Sequence, residues 1–221
     1  MPGTREAPSP ESESRPRDSR VIDTEEPRVP GGSDLSRWLD DRRTDLVANW
    51  MPELQARELG GGSGAQALVH RFADQLVGML PEMVGPYRNQ IESRWDRLAE
   101  LYGAVAARRG LAAGEAIDEI HVLRELVIRE LYRDPPGQCD APLMLREFLR
   151  LNRSLDRVVT HVSVGHTDAL FFQFFESEGV TAPSLPSDAL DAEAEDQLDE
   201  IAAEVADILG QAPWNGGARE H

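Results

Sequence analysis

Apolar residues recur at helical spacing along most of the chain, and nowhere do they follow the two-residue alternation of a half-buried strand. The longest such stretch runs from Ala141 to Glu176, with no proline after Pro142 and a single glycine, Gly165. At about 100° per residue, Phe148, Leu151, Leu155, Val158, Val162, His166 and Ala169 fall on one side. Arg146, Arg150, Arg153 and Arg157 form a stripe on the other. Beyond His161 the stripe side turns apolar, at Val164, Phe171 and Phe175. A helix that is apolar all round is covered all round, so this end calls for more of its own chain or for a second copy.

Shorter helices lie on either side. Asp34 to about Glu58 reads as a first helix, capped by Asp34 or Ser33, with Leu35, Trp38, Leu39, Leu46 and Trp50 on one face. Pro52 removes a donor and is expected to kink it or start a new turn. The run Gly60-Gly61-Gly62-Ser63-Gly64 is a flexible break. It lacks the Gly-Lys-Ser/Thr pattern and a preceding strand, so it is not a phosphate loop. Ala65 to Leu80 reads as a second helix, ended by Pro81 to Pro86, and Asn89 to Arg109 as a third, stopped by Gly110. Glu115 to Arg133 is a fourth, ended by Asp134-Pro135-Pro136-Gly137. Past a linker at 179–187, residues 188–210 read as an acidic amphipathic helix. Its Leu198, Ile201, Val205 and Ile208 form an apolar seam. Residues 1–33 read as a disordered leader and 211–221 as a frayed tail. The expected fold is all-α: a bundle of about five helices over 34–178, plus the acidic C-terminal helix.

Composition narrows the function. With 40% hydrophobic residues, the 221-residue chain can bury the core of one ordinary domain. Its net charge of −17 argues against nucleic acid and against an anionic membrane surface as partners. Arginine supplies every basic side chain, since lysine is absent. No apolar run reaches 18 residues and no apolar signal core follows the N-terminus, so a cytoplasmic protein is expected. The lone Cys139 forms neither an internal disulfide nor a thiolate metal site, which fits a reducing cytosol.

No nucleophile, metal cluster or phosphate loop points to an enzyme. His121, flanked by Asp118 and Glu119, sits at the edge of an apolar face. It is either a boundary histidine or, if exposed, a phosphotransfer site; no ATP-binding segment accompanies it. His161 and His166 lie on opposite sides of their helix, five residues apart, where helical geometry needs three or four for shared metal ligation. A core histidine such as His166, or His70, could in principle ligate haem, but a packed histidine is the simpler reading and no cofactor is expected. Arg124 and Arg42 project into apolar faces, and a buried guanidinium needs a carboxylate. The partner is an ion pair within the bundle, or a ligand carboxylate or phosphate held in a pocket near Arg124, Arg42 and His121. The stripe from Arg146 to Arg157 is a solvated face or the dock for the acidic helix. In the second case Leu198, Ile201 and Val205 would cover Val164, Phe171 and Phe175, in the same chain or in a dimer mate.

Several runs carry a resemblance. Glu100-Leu101-Tyr102-Gly103 through Arg109-Gly110, then Ile117 to Arg124, then Phe148 to Asp156, with Asp40-Asp41-Arg42-Arg43 and Asn49-Trp50, resemble the N-terminal domain of RsbR/RsbRD-type co-antagonists. That sensory module is also found ahead of some histidine kinases. The resemblance spans roughly Leu35 to Phe175. It implies a globin-like or up-and-down helical domain without haem that dimerises and signals to an output such as a kinase, a STAS-type protein or an anti-sigma pathway. Here only the acidic helix follows, so the signal would pass through a partner or that helix. A histidine phosphotransfer protein using His121 and a purely structural oligomerisation domain are the alternatives.

Overall fold

The computed structural model describes residues 34–56, 63–137, 141–177 and 187–211, and among them every regular element is a helix. They are α1 (Asp34–Asp41), α2 (Arg43–Ala56), α3 (Ser63–Val84), α4 (Arg88–Arg108), α5 (Ala113–Arg133), α6 (Ala141–Ser177) and α7 (Ser187–Gln211). The all-α class is thus shown. The leader at 1–33, nearly all of the linker and the last ten residues lie outside the described residues. No helix among those described is long and apolar enough to cross a membrane.

Three boundaries differ from expectation: α3 already begins at Ser63, inside the run read as a flexible break, and two breaks expected at prolines fall elsewhere. The first helix is two helices, and the break falls at Arg42, not at Pro52. Arg42 offers its carbonyl to Leu46 N–H at 2.9 Å and so opens α2, which continues through Pro52 to Ala56. Likewise α3 passes through Pro81 and ends at Val84. An internal proline costs a helix about 3 kcal/mol. Met83 and Val84, both buried just beyond Pro81, return about 1.5–3 kcal/mol each, so the helix continues.

Three buried tryptophans fasten helices together by giving their indole N–H to a main-chain carbonyl. Trp38 reaches Asp134 (2.7 Å), Trp50 reaches Glu119 (2.9 Å) and Trp95 reaches Ser154 (3.1 Å). Each ring fills core volume while its one donor is satisfied. At the start of α1, buried Glu147 of α6 accepts from Leu35 N–H at 3.4 Å, placing an acid at the positive helix pole.

At the centre lies α4, packed against α3, α5, α6 and α7. Among the described residues its contact with α6 is the most extensive between two helices. A Cβ added at Gly165 would fall 1.9 Å from Glu100 O, and one at Gly103 would fall 2.1 Å from Val162 O. The two main chains therefore touch where both residues lack a side chain. Gly110, with φ +79°, ends α4. Its N–H bonds Ala107 O while Leu111 N–H bonds Ala106 O, the paired bonds of a Schellman motif. Buried His166 then donates from Nε2 to Leu111 O at 2.8 Å and pins this turn to α6.

The acidic helix α7 packs on α3 and α4. Ala194, Leu198 and Ile201 are buried there, with Val205 and Ile208 partly covered. This seam is the one read from the sequence, but it is seated on a different face of the bundle.

Candidate functional site

The three residues expected to outline a pocket, Arg42, Arg124 and His121, do not line the cavity that lies between α4, α6 and α7. Arg42 sits at the α1–α2 junction, hydrogen-bonded to Asp134 and stacked 4.7 Å from the centre of the Trp38 ring. Arg124 bridges to Asp156 of α6. Both guanidinium groups are thus held by carboxylates of the bundle. His121 is exposed, as a phosphorylatable imidazole has to be, with Nδ1 4.0 Å from Asp118.

The arginine stripe is not continuous either. Arg146 and Arg153 face solvent and Arg150 is half-buried. Arg157 turns towards α4, where it bonds Asp96 and lies 3.0 Å from Glu92. Next to it, His161 Nδ1 meets Glu100 at 2.8 Å and its Nε2 lies 3.3 Å from Asp96. The acids of α7 find other arginines. Arg71 of α3 pairs with Glu195 and Asp199, Arg94 of α4 with Glu204, and Arg97 of α4 with Glu200 and Glu204. Hydrogen bonds from Arg97 and then Arg94 hold the Glu204 carboxyl below the usual range. These pairs lie at the surface, exposed or half-buried, so they fix the register of α7 while the apolar seam supplies most of the affinity.

Because α7 packs on α3 and α4 and does not cover the end of α6, the aromatic residues there stay open. Val164 is 43% exposed, Phe171 60%, Phe172 69% and Phe174 57%. Phe175 is half-buried, with its ring edge-on to Phe171 at 4.6 Å and to Phe174 at 6.0 Å. Between α4, this end of α6 and α7 lies a cavity of about 370 Å³. Arg97, Leu101, Ala104 and Arg108 form one wall, Gly165, Asp168, Ala169 and Phe172 a second, and Glu193, Ala194 and Ile201 a third. Arg108 is the informative group. Among the described residues, its Nε and Nη2 are buried without a hydrogen-bond acceptor. Burial pulls its pKa down, while Asp191 and Glu193 pull it up.

A second charged cluster lies inside the bundle. Glu119, fully buried, accepts from the Tyr102 hydroxyl. Arg109 Nη2 stands 3.9 Å from the other carboxylate oxygen, and Phe72 stacks on Tyr102 at 4.1 Å. Burial first, and then the Glu119 carboxylate, push the Tyr102 hydroxyl well above its ordinary range, with Arg109 opposing. The folded state therefore holds the neutral phenol, whereas the unfolded chain ionises near pH 10. Stability present below pH 10 is lost as pH rises further. We expect Tyr102→Phe to cost about 1.5–3 kcal/mol near neutral pH, through loss of a bond to a charged acceptor. The gap should close above pH 10. Urea melts of both proteins at pH 7, 9 and 10.5 measure it; a gap independent of pH contradicts this assignment.

Sequence reasoning missed Arg108, Arg109 and Glu119 as site or core residues. The two arginines read only as the end of the third helix, and Glu119 read as a flank of His121. One signal was available for Glu119: it lies three residues after Ala116 and four before Leu123, on the buried side of α5. Compared with models of protein families, with curated proteins and with solved structures, the chain finds no match.

Proposed function

We propose that this chain is a non-enzymatic signal-transduction module of the kind the RsbRD-type resemblance implies, working by self-association and by binding a partner or small ligand. One observation carries the reading: the aromatic end of α6 remains largely exposed even though α7 of the same chain is docked beside it. Apolar patches of this kind mark association surfaces. A second copy of the chain is the occupant that matches it best. A two-fold contact between two α6 ends would bury Phe171 and Phe174 of both protomers, each against the other's patch. The edge-on rings of Phe171, Phe174 and Phe175 already support one another and offer large area at little entropic cost. A signalling partner, such as a kinase or a protein of a STAS-type or anti-sigma pathway, would then read the paired helices.

Light scattering on a sizing column tests this. The wild-type chain is expected to run as a dimer at micromolar concentration. The double variant Phe171→Asp with Phe174→Asp should run as a monomer with unchanged helix content, since neither ring belongs to the core. A wild-type monomer, or a variant that stays dimeric, sinks the reading.

A further inference from the structure

We propose that the cavity between α4, the end of α6 and α7 binds an amphipathic monocarboxylate, with its head on Arg108 and its chain along Leu101, Ala104, Ala169, Phe172 and Ile201. The ligand class deepens the sensing role proposed above and rests on it only for its meaning to the cell; binding itself is read separately.

The volume of about 370 Å³ is at the lower end of small-molecule pockets. Its walls are mainly apolar, and its polar groups differ in what they still have to offer. Arg97 is committed to Glu200 and Glu204, and Glu100 to His161. Arg108 lines the cavity too, and among the described residues its Nε and Nη2 meet neither solvent nor a hydrogen-bond acceptor. Such donors cost free energy until something accepts from them. Two other arginines, Arg88 and Arg124, also bury an unpaired Nε, but each places Nη2 on a carboxylate, Glu92 and Asp156, and neither lines the cavity. An arginine fork matches a carboxylate. The acids around it choose between anions. Asp191 and Glu193 already act on Arg108, and Asp168 stands on the rim. Like-charge repulsion grows with each added charge, so a singly charged head is tolerated where a phosphate dianion is opposed.

The third wall of the cavity is α7, so a bound ligand bridges α7 to α4 and α6 and favours the docked helix. Occupancy would then be felt beside the aromatic end of α6, because Phe172 belongs to both surfaces.

Calorimetric titration of the full chain with decanoate tests the site, with 1-decanol and decylammonium as companions of equal chain length. Decanoate is expected to bind, and the two companions about tenfold more weakly or worse. Arg108→Gln should weaken decanoate about tenfold and leave decanol unchanged. Ala104→Trp, which fills the cavity, should abolish decanoate binding. Equal affinity for decanol, a preference for decylammonium, or no heat with decanoate overturns the proposal. So does full binding in Ala104→Trp, which would place the chain on the exposed rings. Either variant failing to fold leaves the comparison among the three wild-type titrations to decide. A protein that binds decanoate yet stays monomeric loses the association reading and keeps this one.

Discussion

Gly165→Ala is expected to be among the most destabilising single-methyl changes this protein can undergo. The added carbon would stand 1.9 Å from Glu100 O, where ordinary contact begins at 3.4 Å. The obstacle is main chain inside a helix, not the tip of a flexible side chain. To relieve it, α4 and α6 must separate, and the whole shared face then loses its fit, Trp95, Leu98, Leu155, Val158 and Val162 included. Overpacking costs typically 1–3 kcal/mol; a clash between two backbones belongs at the top of that range, about 3 kcal/mol or more. For a chain of this size the melting temperature should fall by roughly 6–12 °C. Gly103→Ala, 2.1 Å from Val162 O, should behave alike. The control is Gly114→Ala in α5, where a Cβ meets nothing within 4 Å. There the better helix former should raise stability by up to about 1 kcal/mol. Thermal melts followed by circular dichroism separate the cases; a Gly165→Ala protein melting with the wild type would refute the close crossing.

The second large effect is expected at Glu119. Its side chain is fully buried, and that of Arg109 is 8% exposed. Breaking a buried ion pair from one side leaves the other charge desolvated and uncompensated, at a cost of about 3–5 kcal/mol. Glu119→Leu also takes the acceptor from Tyr102. Replacing both partners, Glu119→Leu with Arg109→Met, should be much milder than the sum of the single changes, because no charge is then left without its counter-charge. Urea unfolding of the four proteins forms a double-mutant cycle. Strictly additive losses would show that the two groups do not act as a pair.

Much of the fold was legible in local pattern. Helical spacing placed Leu35, Trp38, Leu39, Leu46 and Trp50 on one face, and all five are buried. Gly110 stopped α4 as expected, and the seam of Leu198 and Ile201 is covered. The prolines misled because a local cost was weighed without the packing beyond it. Of the site residues, Phe171 was legible as apolar surface. Arg108 was not, because its significance lies in two donors that the folded bundle leaves without an acceptor.

Periodicity is a property of neighbouring residues, so the chain by itself determined that it is helical, which face of each helix turns inward, and that an acidic helix with an apolar seam closes it. Which face that helix occupies was decided only in three dimensions. To a string of glutamates, Arg146 to Arg157 and the set Arg71, Arg94 and Arg97 are equivalent, because charge attraction has little direction and depends on distances that only the packed helices set. The same holds for Gly103 and Gly165: each is a small residue with no evident role along its own helix, and becomes a contact point only because main chain of the other helix, at Val162 and at Glu100, passes against it where α4 and α6 cross.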